Sequence, residues 1–557
     1  MSERFSKDMA AGYGWDEPSI VFGAPLLDDT TYPDVHVRVP LSRVNRHGLI
    51  AGATGTGKTK TLQLLAEQLS AAGVPVFAVD VKGDLSGIGA PGDATNAKLL
   101  ERAQSIGWNY VPAACPVELM SLSGKVGAHV RASISSFGPL LLGKVLDLND
   151  TQTSILSLVF RYCDDEDLAL LDLADLRTTL KFLASDEGKP VLEELGGISK
   201  ASLGVILRSI VTLEQEGAGQ FFGEPEFDVR DLLRTSPDGR GVVSLLEVAD
   251  VMDRPRLYST FVLWMLAQLY ETLPEVGDLP RPKLAFFFDE AHLLFTDASK
   301  ALMEQIERTA RLIRSKGVGV FFVTQAPTDV PPSVLSQLGN RVQHALRAFT
   351  ADDADALRKA ARTFPMTEHY YIERAITSLG IGEAFVTVLG PKGVPTPLAA
   401  TRLVPPASRM APLTDPEIAE MTALSTFATK YGEAVDPVSA HEIITERLHN
   451  ARAAAAVAAG EEALRDKVEP TTADGLGTLT PAQQRREIER RARELERARR
   501  EAERARKARE RELAADERRR QKTIETSIRT AGRVATSRAG QSILRGVFDT
   551  IFGGGRR

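Results

Sequence analysis

The sequence predicts an α/β protein with a parallel-rich central sheet, a helical insertion and a long helical C-terminal tail. Three observations carry this. A Gly-x-x-x-x-Gly-Lys-Thr loop occupies residues 52–59, with an apolar strand candidate before it (47–51) and a helix-periodic run after it (60–69). Continuous apolar runs of buried-strand type recur at 74–80, 284–288 and 318–324. Helical stretches separate these runs, and strand, helix and strand in that order imply right-handed parallel crossovers.

Taken in order, residues 1–45 read as a short extended lead-in, with strand-like alternation at 35–39. Residues 46–124 hold the first part of the α/β core. Residues 125–238 carry apolar residues at helical spacing, notably over 150–161 and 203–213, and read as a helical insertion. The core resumes over 239–406, with a helix expected from about 256 to 272 and an amphipathic helix over 301–316. Further strands are expected at 342–348 and 383–389, the latter leading into a hairpin-like excursion through Gly390-Pro-Lys-Gly393. Residues 407–468 look helical, 469–483 form a Pro/Gly/Thr linker, and 484–557 form a charged helical tail.

Composition narrows the function classes. The 557 residues are 43% apolar and 25% charged, as in an ordinary globular protein, and the net charge of −6 provides no global basic field. Two cysteines, Cys115 and Cys163, argue against a disulfide framework, and no Cys/His cluster has zinc spacing. The first thirty residues lack the apolar core of a signal peptide, and no run of eighteen apolar residues suggests a transmembrane segment. A cytoplasmic location is therefore expected.

The loop Gly52-Ala53-Thr54-Gly55-Thr56-Gly57-Lys58-Thr59 points to nucleotide chemistry. Its glycines let successive backbone N–H groups face one anion, and the following helix adds its N-terminal N–H groups and dipole. Lys58 is placed to reach the β- and γ-phosphates of ATP, Thr59 to hold Mg²⁺, and Lys60 completes the nucleotide-binding set. Asp289 and Glu290 end an apolar strand, where α/β sheets bind ligands. Asp289 is the expected second metal ligand, and Glu290 the general base that activates water. Gln325 ends the next strand and is a candidate for contacting the γ-phosphate or the water. Arg314, with Arg311 next in line, is a candidate arginine finger entering a neighbour's site. Lys82 and Asp84 follow the second strand and read equally well as functional residues or as a simple turn.

Residues 47–59, Val79-Asp-Val-Lys-Gly-Asp-Leu85, Phe288-Asp-Glu-Ala-His292 and Val323-Thr-Gln325 together resemble the HerA/FtsK superfamily of P-loop ATPases, most of all its bacterial HerA-like, YjgR-type members. The resemblance covers roughly residues 20–410 and the Gly/Arg-rich C-terminus. It implies a RecA-like ATPase core, ring oligomers that are often hexamers, and a motor that translocates on double-stranded DNA. Carried over by position, Lys58, Thr59, Asp289, Glu290 and Gln325 take the roles above, and the placement of Arg314 is similar to the finger of conjugation-type relatives. Only about 45 residues precede the loop, so the N-terminal barrel of HerA itself is not expected.

The tail invites an alternative. From Arg485 to Arg520 sixteen Lys/Arg face ten Asp/Glu, a net +6, with a weak seam at Ile488, Leu495 and Ala502. A solvated helix, DNA-backbone contact and a partner helix are all open to it, and residues 543–552 add a short apolar segment. The alternative function is an ATP-driven switch or scaffold acting on a protein partner through residues 484–557, without DNA translocation. Lys392, in the Gly/Pro loop, is a candidate pore residue.

Overall fold

The computed structural model describes residues 2–466, except 197, 252–253, 296–299 and 391, together with scattered positions between 486 and 507. The chain divides into two units, Met1–Ala453 and Ala454–Arg557. In the second, the described positions from 486 to 507 are helical and exposed, and Arg500 pairs with Glu496 at 2.7 Å. The linker at 469–483, the apolar seam of the tail and the segment 543–552 lie outside the described residues.

Thirteen strands of the first unit form one sheet. They are β1 (Ser19–Leu27), β2 (Thr30–Thr31), β3 (Val37–Pro40), β4 (Gly48–Ala51), β5 (Val76–Asp80), β6 (Val117–Ser121), β7 (Ala128–His129), β8 (Val243–Glu247), β9 (Leu284–Phe288), β10 (Val318–Thr324), β11 (Asn340–His344), β12 (Glu383–Thr387) and β13 (Ala399–Leu403). The order is β2-β1-β13-β12-β11-β4-β10-β9-β5-β8-β6-β7, with β3 paired to β1. From β11 to β7 every pairing is parallel, whereas β12, β13, β1, β2 and β3 join antiparallel. The centre is thus a parallel sheet extended on one side by an antiparallel flank.

Both faces of the centre are buried, which explains its unbroken apolar strands. Along β9, Phe286 and Phe288 face one core and Phe287 the other. Phe286 lies against Phe77, 4.3 Å between ring centroids, and Phe287 stacks on Phe321 of β10 at 4.9 Å. The second face is covered by the Lys58–Ala71 helix through Leu62, Leu65 and Leu69. The first is covered by the Pro255–Thr272 helix through Phe261, Trp264 and Leu266.

The helices of 134–215 extend this first core outward. Asp150–Asp165 and Leu173–Ala184 each begin with a capping box, Asn149 with Gln152 and Asp172 with Asp175. Leu156, Leu176, Leu180, Leu203, Ile206 and Ile210 pack between them.

Residues 1–45 require a correction. Instead of an extended lead-in they form a Ser2–Tyr13 helix and three strands of the main sheet. Phe5, Met9 and Tyr13 recur every four residues and bury one helical face. The Tyr13 hydroxyl donates to the carbonyls of Val386 and Pro397 at 3.0 and 2.7 Å, and β1 pairs with β13, Gly23 opposite Leu403. Arg314 is likewise not on a continuous α-helix: Lys300–Leu312 tightens into a 3-10 turn, Ile313–Lys316, that carries it.

Asp175 ties the inserted helices to the Ala440–Asp466 helix. Its buried carboxylate accepts from the N–H groups of Leu171, Asp172 and His441 at 2.8, 3.1 and 2.8 Å, and from the Ser439 hydroxyl at 2.5 Å. Asp175→Ala strands these donors, and a loss of about 2–4 kcal/mol is expected in urea unfolding monitored by circular dichroism. An unchanged midpoint would show that the tie is dispensable.

Candidate functional site

Every strand from β11 to β7 runs the same way, so the residues that end β4, β5, β9 and β10 collect at one edge. Residues 52–57 leave the end of β4 there and are held to both neighbouring strands. Gly52 N–H donates to the Thr324 carbonyl at 3.2 Å, and Ala53 N–H donates to the Ala345 carbonyl at 2.8 Å. The Thr56 hydroxyl closes the loop on the Ala53 carbonyl at 2.7 Å, and Gly382 N–H donates to the Thr56 carbonyl at 3.0 Å.

Gly57 has φ +112°, outside what an L side chain adopts comfortably. Gly52 is required for a different reason: a Cβ there would stand 2.5 Å from the Cβ of His344. His344 is fully buried at the end of β11, with Nε2 2.9 Å from the Thr61 hydroxyl, and burial pushes its imidazole down to about 3. It braces the loop as a neutral group. The N–H groups of Gly55, Gly57, Lys58 and Thr59 donate to no other backbone group among the described residues. They form an anion-receiving nest at a helix N-terminus, which fits a phosphate. Thr54 is exposed on the outer side of the loop.

Lys58 is buried and donates to the Gly52 and Ala53 carbonyls at 2.8 and 3.3 Å. Burial lowers its pKa, and the charge of Glu290 works in the other direction. Thr59 is the second helical residue, half-buried at the same edge. Lys60 turns away from the loop, to Gln63 Oε1 at 3.2 Å and the Asp84 carbonyl at 3.5 Å.

Asp289 and Glu290 follow β9. Asp289 is buried; one carboxylate oxygen accepts from Glu290 N–H at 3.0 Å, and Oδ2 finds no hydrogen-bond partner among the described residues. Burial, aided by the charge of Glu290, pushes its carboxyl up to about 7. A buried carboxylate oxygen without a donor suits a hard dication, which would reverse that shift, so Asp289 and Thr59 fit Mg²⁺. Glu290 adopts a left-handed backbone, φ 45° and ψ 49°. Its Oε1 accepts from Lys82 Nζ at 2.5 Å, and Oε2 lies 3.4 Å from His292 Nδ1. Burial alone would raise its pKa, but the hydrogen bond and charge of Lys82, together with Lys58, hold it below the usual carboxylate value.

Gln325 is exposed just past β10, in the wall of a cleft of about 580 Å³ that Ala53, His292, Asp329 and Arg347 also line. Sequence reasoning missed Asp329, which accepts from the Thr324 hydroxyl at 2.7 Å and from Ala326 N–H at 2.8 Å and so shapes the turn carrying Gln325. It also missed the role of Asp80, at the end of β5. Asp80 accepts N–H bonds from Lys82, Gly83, Asp84 and Leu85 at 2.8–3.3 Å, making the 80–85 segment a rigid Asx-type loop that presents Lys82. An acid ending an apolar strand is the signal that both Asp80 and Asp289 share.

Arg311 and Arg314 are not brought to this edge. With Arg46 and Arg341 they line a pocket of about 460 Å³ at the opposite ends of the strands, and no carboxylate is among its lining residues. The seven residues of β10 separate Arg314 from Gln325, on the order of 20 Å. Lys392 is exposed in its loop.

The family model described as helicase HerA-like C-terminal matches residues 26–557. No curated protein matches the chain. The bacterial conjugative coupling protein TrwBdeltaN70, unbound monoclinic form, is 15% identical over 72% of this chain and 91% of its own, with a TM-score of 0.47. The plasmid coupling protein TrwB in complex with ADP and Mg²⁺ is 15% identical over 71% of this chain and 98% of its own, TM-score 0.44. VirB4 of Thermoanaerobacter pseudethanolicus is 15% identical over 70% of this chain and 97% of its own, TM-score 0.42.

The bracing of the loop is testable. Gly52→Ala should force His344 or the loop to move, at a cost of about 1–3 kcal/mol, and so weaken nucleotide binding roughly ten- to hundredfold in a fluorescent-nucleotide titration. Binding within twofold of the parent protein would mean that the loop tolerates displacement from β11.

Proposed function

This chain belongs to the helicase HerA-like C-terminal family, and we propose that it is a P-loop ATPase that uses ATP and Mg²⁺ and couples hydrolysis to movement along double-stranded DNA as a ring of identical subunits, expected to be hexameric. The observation that carries the catalytic part is the meeting of Asp289 and Glu290 with the phosphate-receiving nest at one sheet edge.

In this reading Gly52 to Lys60 cradle the triphosphate, with the free N–H groups of Gly55, Gly57, Lys58 and Thr59 facing its oxygens. Lys58 exchanges its loop carbonyls for the β- and γ-phosphates. Thr59 and Asp289 would hold Mg²⁺, which would supply positive charge to offset that of the phosphates. Glu290 accepts a proton from the attacking water as its oxygen bonds to the γ-phosphorus. The bond from that phosphorus to the bridging oxygen breaks, and ADP leaves with the electron pair. Gln325 contacts the γ-phosphate or the water from the cleft.

The ring is supported by the place of Arg314. It lies too far from its own loop to serve it, in a pocket with Arg46, Arg311 and Arg341 beside it. An arginine entering a neighbour's site would stabilise charge in the transition state there. Translocation on DNA is supported by the family. Among the described residues no helix is long and apolar enough to cross a membrane.

Steady-state ATPase with and without long duplex DNA, at low and high salt, is the direct test. Stimulation that fades steeply with salt is expected, because phosphate contacts release counterions. Turnover indifferent to DNA at every salt concentration would overturn the motor and leave an ATPase acting on something else. Glu290→Gln should lower turnover by about 10²–10⁴ while sparing nucleotide binding, whereas Lys58→Ala should lose the binding itself. Arg314→Ala should lose turnover by about 10³ or more with nucleotide affinity retained. Normal turnover in that variant would place the finger elsewhere.

A further inference from the structure

Lys82 occupies an unusual position for a turn residue. Asp80 clamps the backbone beneath it through bonds to four successive N–H groups, so the side chain leaves from a fixed point. Its ammonium is 2.5 Å from Glu290 Oε1, and its side chain is 47% exposed against 7% for Glu290. The contact is therefore open on the lysine side and closed on the carboxylate side. Lys58, the ammonium of the loop itself, donates to carbonyls and not to Glu290.

While Lys82 stays on Oε1 that oxygen is not open to a water, and Oε2 is buried facing His292. The chemistry of Lys82 suits a temporary partner. An ammonium on a flexible stem carries three rotatable donors and can change acceptors without the fixed fork of an arginine. A terminal phosphate is the stronger attraction, since it carries about −1.5 to −2 charge against −1 for Glu290.

We propose that Lys82 is a γ-phosphate-sensing switch: it keeps Glu290 engaged when no triphosphate is present and passes its hydrogen bond to the γ-phosphate when one arrives, freeing Glu290 to receive the water proton. The exchange moves one hydrogen bond and breaks no covalent bond. It gives the site a means of withholding the base from ADP-bound subunits. The inference rests on the reading of Glu290 as the base and of residues 52–60 as the triphosphate cradle. It assigns Lys82 a contact that a pin for the left-handed Glu290 backbone would not make.

The test compares dissociation constants for a non-hydrolysable ATP analogue and for ADP, both with Mg²⁺, on the full chain. Lys82→Met should reduce the preference for the triphosphate roughly tenfold, the loss of one charge-assisted hydrogen bond, while ADP affinity stays within about twofold. Glu290→Gln should raise the preference above that of the parent protein, because no carboxylate then competes for Lys82. Lys82→Met combined with Glu290→Gln should lose that gain. An unchanged preference in Lys82→Met would overturn the switch, as would equal losses for both nucleotides, which mark a structural pin. Should Lys82→Met fail to fold, an absent gain in Glu290→Gln overturns it alone. Failure of the site reading looks different: the parent protein would bind neither nucleotide, or Lys58→Ala would bind both as well as the parent.

Discussion

Two backbone hydrogen bonds govern the geometry of this molecule: Gly52 N–H to the Thr324 carbonyl and Ala53 N–H to the Ala345 carbonyl. They stitch the loop that leaves β4 to the ends of the strands on either side, β10 and β11. Those ends are held, because β10 is buried on both faces with Phe321 on Phe287 and Phe322 on Phe288, and β11 is paired to β4 and β12. The loop is therefore held open by the sheet, with its inner N–H groups turned away from any backbone acceptor. Gly52 and His344 show how little slack remains, since one added Cβ would meet the imidazole side chain.

Parallel pairing then sets the electrostatics. Because β5, β8 and β9 end at the same edge as β4, their terminal acids gather there: Asp80, Glu247, Asp289 and Glu290. Burial, with the charges of Asp80, Asp84 and Asp250, pushes Glu247 up to about 8, and burial raises Asp289. Lys58 and Lys82 offset only part of this crowding, and Lys82 does so by bonding Glu290 directly. A dication is welcome among such carboxylates, and a polyanion is welcome to the lysines. The opposite edge is the complement, with four arginines around a pocket lined by no carboxylate. In the proposed ring the guanidinium-lined edge would face the acidic edge of the next copy.

Much of this is legible in the sequence. The strands at 284–288 and 318–324 stood out as apolar runs bounded by turn residues, and residues 52–59 announced their own conformation through glycine placement. Asp289 and Glu290 were legible because a charged pair ending a buried strand has few alternatives. The Ser2–Tyr13 helix was obscured because Phe5, Met9 and Tyr13 are only three large apolar positions in a mostly polar stretch, and the Tyr13 hydroxyl finds its partners on Val386 and Pro397, more than 370 residues later. Asp80 was hidden for another reason. An Asx-type loop looks like any turn until its four N–H groups are seen converging on one carboxylate.

By itself the sequence determined the parallel α/β class, the phosphate-receiving loop and the acids that face it. These follow from periodicity and from residue types at fixed local spacing, which short-range sterics and hydrogen bonding enforce. Only the tertiary structure decided which lysine meets Glu290, which histidine braces the loop, and that Arg314 lies at the far edge from its own nucleotide site. Lys82 and Glu290 are 208 residues apart, and Thr61 and His344 are 283 apart. No local pattern encodes such meetings. They arise when strand order brings particular strand ends side by side, and that order is settled by the burial of both faces of the sheet at once.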